Sequence, residues 1–336
     1  MKKSVSSSPS KPPYFLNILK IIFAILLIGF VLSNTHLDQL KTVWTNISIG
    51  WVALSFVLFI LLTMLKALQY YILINESVTY PQVLNLVILQ NAVSNFLATS
   101  AGIASYLTLF HVEYGVKVSR AAIVFLLTKV GDLIVIWLLL LVSSWLVWPQ
   151  VPMIHVPVII LLAGMGVVVA LLIVAIQLRQ RFVEFANGIM DRLGLSHFSI
   201  VMKGMDILQT LGDQEQTAVI RKLKLVLITS SSYMMVSLIW IYSSLHAFNL
   251  QLGILPIIFS NALLQVVSYL PIQIFGGLGV SEVGNMFLYG LFNVPTAELS
   301  AVLIANRILF YLTNLLVLLY LPLYTLYNAH SSSSVN

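Results

Sequence analysis

Cysteine is missing altogether from this chain of 336 residues. Its absence excludes disulfide staples, thiolate metal sites and a cysteine nucleophile, and says little about compartment. Charge is scarce too: Asp, Glu, Lys and Arg make up 8% of the residues, against 60% apolar ones. A water-soluble fold of this size could not cover that much apolar surface with so few charges. The six histidines (36, 111, 155, 197, 246 and 330) are scattered, without the paired spacing a metal site needs. The one glycine-rich stretch lacks the Lys-Ser/Thr of a phosphate-binding loop, and no strand precedes it. Ser281 before Glu282 is not a nucleophile elbow. The reading therefore expects no enzyme, no cofactor, no metal and no nucleic-acid partner. The net charge of +6 is assigned to loops, where it orients a chain in a membrane.

Apolar runs of spanning length dominate what is present. They lie at about 15–33, 51–74, 83–111, 121–148, 156–178, 223–248, 254–270, 274–292 and 299–327. Continuous Leu/Ile/Val-rich runs above ~18 residues indicate spanning helices and exclude the short alternating strands of a membrane barrel. The expected fold class is an all-α polytopic membrane protein. About six spanning helices would be joined by two broken or re-entrant helical hairpins. Residues 1–13, rich in Ser, Pro and Lys, read as a disordered cytoplasmic tail, and 329–336 as a second, Ser-rich one. Residues 14–328 then form one transmembrane domain, and the run at 15–33 reads as an uncleaved first helix rather than a signal peptide.

The two hairpins are read from helix breakers. Run 83–111 is interrupted by Ala98-Thr99-Ser100-Ala101-Gly102. The stretch 254–292 contains Pro256, Pro271 and Phe275-Gly276-Gly277-Leu278-Gly279-Val280-Ser281-Glu282. Glycines and a carboxylate at membrane depth are tolerated only where backbone is buried in protein or lines a cavity. Gly102, Gly276, Gly277 and Gly279 are accordingly placed at hairpin tips.

Lysine and arginine set the orientation. With the N-terminus in the cytoplasm, Lys2, Lys3, Lys11, Lys20, Lys66, Lys117, Arg120, Arg179, Arg181, Arg192, Lys203, Arg221, Lys222 and Lys224 fall on or near the inner side. Only Lys41 falls outside. This positive-inside pattern places both termini in the cytoplasm. Residues 179–222 then form the one substantial polar loop. In it Phe182, Phe185, Ile189, Met190 and Leu193 recur at helical spacing, which suits either a helix lying on the inner surface or a link between two spans.

An internal echo follows. Val116 precedes Lys129 by thirteen residues, and Val294 precedes Arg307 by thirteen. Each valine opens a span that follows a broken hairpin, and the charges assign the hairpins to opposite faces. That pattern suggests an inverted repeat, the arrangement that builds alternating-access sites at mid-membrane. Chance similarity between apolar helices is the competing account.

Four ionisable residues are assigned to the spans: Lys129, Asp132, Glu282 and Arg307. Each should face the interior, because an unpaired charge in lipid costs roughly 2.5–3.5 kcal/mol even on insertion scales. Lys129 and Asp132 share a helix face and can pair locally. Glu282 can pair with Arg307, or reach Lys129. One polar cavity holding all four is the expectation, with Arg307 or Lys129 meeting a headgroup phosphate and Glu282 holding a cation. Purely structural ion pairs are the alternative. Polar side chains gather on the same elements: Asn91, Ser94, Asn95, Thr99 and Ser100 on the first hairpin, Asn261, Gln265, Ser268 and Gln273 on the second.

Gly276-Gly277-Leu278-Gly279-Val280-x-Glu282, followed one helix later by Asn306-Arg307, resembles the transmembrane region of lysylphosphatidylglycerol synthase, a flippase-like family. Phe275 stands where that family usually has proline. The first half is similar from Asn91 to Gly102 and on through Lys129 and Asp132, without the arginine usual near its hairpin tip. The resemblance extends over about residues 15–327. It implies an integral membrane protein of the plasma (inner) membrane. Its best-understood relatives carry a fused aminoacyl-transferase domain and move a charged phospholipid between leaflets. No such domain is found in this sequence, so the resemblance implies translocation without synthesis. The expected partner is a membrane lipid, with an anionic phospholipid or polyprenyl-phosphate headgroup, and a homo-oligomer is among the expectations. A non-transporting accessory subunit of a lipid or polyprenyl-glycan pathway and a small-solute transporter are the rival readings.

Overall fold

The computed structural model describes residues 37–74, 78–192, 216–269 and 277–324. The run at 15–33, both tails, residues 193–215 and the Pro271, Gln273, Phe275 and Gly276 positions lie outside the described residues. Every regular element described is a helix: α1 Leu37–Thr45, α2 Ile49–Ile74, α3 Tyr80–Phe96, α4 Thr99–Val112, α5 Val118–Val147, α6 His155–Arg192, α7 Gln216–Ala247, α8 Ile254–Ser268, α9 Val280–Gly290 and α10 Thr296–Leu318. The segments 49–74, 118–150, 152–174, 220–247 and 298–324 are each long and apolar enough to cross a membrane. The chain is an all-α polytopic membrane protein.

Local chemistry sets the helix ends. Thr79 donates its backbone N–H and its hydroxyl to Gln82 Oε1, at 2.8 and 3.0 Å, and so starts α3. Pro295 precedes α10, and Glu298 in the first turn faces the positive end of the helix dipole. α6 differs from expectation. It runs unbroken for 38 residues, about 57 Å, well past the ~30 Å hydrocarbon layer. Its end at Arg192 continues the span instead of forming a separate surface helix. Nothing between 179 and 192 breaks the backbone hydrogen bonding.

Both expected hairpins exist, and each is built from helices too short to cross. α3 and α4 have 17 and 14 residues, α8 and α9 have 15 and 11. The first break falls at Leu97-Ala98, at the leading edge of the predicted breaker. Gly102 therefore sits inside α4 and not at the tip. Its role is close packing: an added Cβ would collide with the Ser94 side chain and press on the Gln90 carbonyl of α3. The open end of this hairpin closes on itself, with the Tyr114 hydroxyl donating to Gln82 O at 3.4 Å. At the open end of the second, Phe259 meets Phe292 edge-on at 6.2 Å.

The bundle is ordered around α2 and α7, which lie antiparallel. Ser48 N–H donates to Ala247 O at 2.8 Å, Phe59 meets Trp240 at 5.8 Å, and Gln69 donates to Ser230 Oγ at 2.8 Å. Higher numbers on one helix thus meet lower numbers on the other. Around this pair the contacts repeat. α5 packs on α8 of the second unit, and α10 packs on α3 of the first. Exchanging α2–α5 for α7–α10 maps each contact onto the other. An antiparallel central pair makes that exchange an inversion. The first hairpin opens beside Ile74, Val116 and Val226. The second opens beside Leu250, Leu252 and Tyr289, packed against Trp44, Ile47 and Trp51. These clusters lie at opposite ends of α2, so the hairpins enter from opposite faces.

Candidate functional site

Glu282 shows what the glycine stretch does. Gly277 and Gly279 have φ of +79° and +84°, a region other residues avoid. They turn the chain so that α9 starts directly after them. Glu282, third residue of α9, reaches back and accepts the Gly279 N–H at 2.6 Å, the carboxylate half of a capping box. Its other oxygen accepts from Arg307 Nε at 2.6 Å. Arg307 also lies against the Phe310 and Tyr311 rings, at 5.5 and 5.7 Å. The carboxylate is thus engaged with helix dipole, backbone and guanidinium together, and locks the hairpin tip to α10. This occupation leaves little for a ligand cation, contrary to the role first expected of Glu282.

Asp132 is likewise taken, by a partner the sequence reading put elsewhere. Lys66 Nζ lies 2.9 Å from Asp132 Oδ2 and also donates to Gln69 Oε1 at 2.9 Å. Ser230 donates to Asp132 Oδ1 at 2.7 Å and accepts from Gln69 Nε2 at 2.8 Å. The result is a closed ring, Lys66–Asp132–Ser230–Gln69, tying α2, α5 and α7. Lys66 is therefore a residue of the span Ile49–Ile74, not a loop charge, and the local Lys129–Asp132 pair is replaced by a pair between helices. A ring that satisfies every member is favoured at membrane depth over a pair left half-solvated.

Lys129 is left without a carboxylate partner among the described residues. Its Nζ lies 5.6 Å from the Phe125 ring and 5.5 Å from that of Tyr269. Tyr269 ends α8, so the tip of the second hairpin touches the last helix of the first unit. The converse contact exists too. Asn95, near the end of α3, donates to Asn314 of α10 at 2.8 Å, and Phe96 stacks on Tyr311 at 5.5 Å. Lys129 and Arg307 each stand eleven residues beyond the first residue of their helices, as the inversion requires.

The polar space falls in two adjoining cavities that share part of their lining. One, of about 310 Å³, is lined by Glu282, Arg307, Asn285, Asn306 and Ser281. The other, of about 330 Å³, is lined by Lys66, Lys129, Gln90, Asn91, Asn95 and Thr99. Asp132 lines neither. Trp240, Ile241, Asn261, Gln265 and Phe310 line both. Trp240 and Phe310 meet at 6.2 Å and both meet Phe59. Asn95, Phe96, Leu278 and Tyr311 border a further space between the two hairpin tips. Lys66, Trp240 and Phe310 were missed from sequence. Lys66 carried a usable signal, since it stands eight residues inside its apolar run.

The family model for the lysylphosphatidylglycerol synthase TM region matches residues 17–317. The chain belongs to that family. The match spans both hairpins, both cavities and the glycine stretch with its Arg307 partner. No curated protein and no solved structure matches the chain.

Proposed function

We propose that this protein moves a lipid, or a headgroup linked to a lipid, between the leaflets of the plasma (inner) membrane, with both termini cytoplasmic. One observation carries the reading: two inverted re-entrant hairpins bring their tips to a pair of adjoining polar cavities at membrane depth. Polar groups there would replace water for a headgroup, while acyl chains stay in the bilayer. Trp240 and Phe310, which border both cavities, meet each other and Phe59 where the two adjoin. Membership of a family whose name denotes a phospholipid synthase supports a lipid over a small solute. The test is transfer of headgroup-labelled phospholipid in vesicles carrying the purified protein, read with an impermeant quencher. Label that becomes accessible no faster than in protein-free vesicles would sink the reading.

A further inference from the structure

We infer that the Lys66/Lys129 cavity is an anion site, selective for a phosphodiester headgroup that carries hydroxyls and no ammonium group. The inference rests on the translocase reading and names its cargo. At membrane depth three cations, Lys66, Lys129 and Arg307, face two carboxylates, Asp132 and Glu282. Both carboxylates are held by the other two cations, so among the described residues one positive charge, on Lys129, has no carboxylate of its own.

The inversion shows what is missing. Arg307 has Glu282, delivered by the start of α9. Lys129 holds the matching place in α5, but α4 begins Thr99-Ser100-Ala101 and delivers no carboxylate. A cavity of about 330 Å³ remains beside Lys129. An anion from the ligand completes there the pair that Glu282 completes in the other half. A second group in the same cavity has one unfilled acceptor atom. Gln90 Oε1 is buried and has no hydrogen-bond partner among the described residues. An unmade bond at a buried acceptor is costly, and a headgroup hydroxyl would supply the donor. Among the described residues the only carboxylate lining either cavity is Glu282, already held by Arg307, so an ammonium group would find no unpaired counter-charge among them.

The experiment measures binding and transfer separately on the full-length protein. Binding is read by thermal stabilisation in detergent with phosphatidylglycerol, phosphatidylethanolamine, lysylphosphatidylglycerol, glycerol phosphate and inorganic phosphate. Phosphatidylglycerol is expected to bind at least about tenfold tighter than the two ammonium-bearing lipids. Lys129→Met and Thr99→Glu, which remove the cation or give it an internal partner, should each erase that preference. Lys129→Arg should keep it, separating lost charge from lost folding. Glycerol phosphate competing with the lipid would mark the headgroup as the recognised part. Inorganic phosphate competing equally well would show a bare phosphate site and overturn the hydroxyl selectivity. Equal binding of all three lipids, or unchanged preference in Lys129→Met, would overturn the inference even where vesicles show transfer. Lys129-dependent binding without any transfer would uphold the site and remove the translocase reading.

Discussion

At the scale of single residues, the buried charges divide into those that hold the fold and one that does not. Asp132 closes a four-membered ring and Glu282 joins a helix start to Arg307. Removing one member strands its partner in a low-dielectric interior, at a cost of about 3–5 kcal/mol. Asp132→Ala is expected to lower the unfolding temperature of the purified protein sharply. Adding Lys66→Met should recover much of that loss, because the stranded ammonium is gone. Glu282 behaves differently. Exchanging the charges, Glu282→Arg with Arg307→Glu, should not restore stability. An arginine offers no acceptor to the Gly279 N–H, so the pair is not interchangeable. A swapped variant as stable as the parent would show that the ion pair alone matters. Lys129→Met, by contrast, is expected to leave the stability of the purified protein within about 1 kcal/mol of the parent, since no ion pair is lost.

At the scale of elements, glycine placement decides whether the hairpins form. Gly279→Ala puts a Cβ where φ is +84° and should cost about 1–3 kcal/mol. The damage should be local, visible as faster proteolysis between α8 and α9 before global unfolding. Gly102→Val acts by another route. Its side chain would wedge α4 away from Ser94 and Gln90 of α3, a clash expected to cost about 1–3 kcal/mol. Pairing it with Ser94→Ala should relieve part of that loss, because the Ser94 side chain is the atom group met first. No relief in the double variant would mean that the backbone contact dominates.

At the scale of the whole molecule, the inverted arrangement makes a prediction about faces. Residues 46–48 contact 247–249, and the first hairpin opens at the far end of α2. Single cysteines introduced into this cysteine-free chain should report that separation. With an impermeant thiol reagent on intact cells, Lys41→Cys should label and Glu113→Cys should label only after permeabilisation. Labelling of both in intact cells would place the hairpin openings on one face and dissolve the inversion. Trp240 of α7 and Phe310 of α10 border both cavities, which therefore adjoin near the middle of the bundle.

The sequence by itself determined the class and pointed to the two hairpins and to their inversion. Run length, glycine and proline breaks and the Lys/Arg bias are local or one-dimensional properties, and they survive without a third dimension. The matched spacing of Lys129 and Arg307 was legible for the same reason. The glycine stretch already pointed at Glu282. Partner choice was not legible. Lys66 and Asp132 are 66 residues apart, and Asn95 and Asn314 are 219 apart. Three residues of separation made Lys129 the obvious partner for Asp132, yet helix packing brought Lys66 and Ser230 closer. Gly102 looked like a tip residue because glycine serves both turns and close approach, and only its neighbour Ser94 distinguishes the two. That the polar space is shared between two adjoining cavities, with Trp240 of α7 and Phe310 of α10 bordering both, was decided by packing across the bundle. Which charges are spent on structure, and which one is left for a ligand, is set by distances across the bundle that no spacing along the chain records.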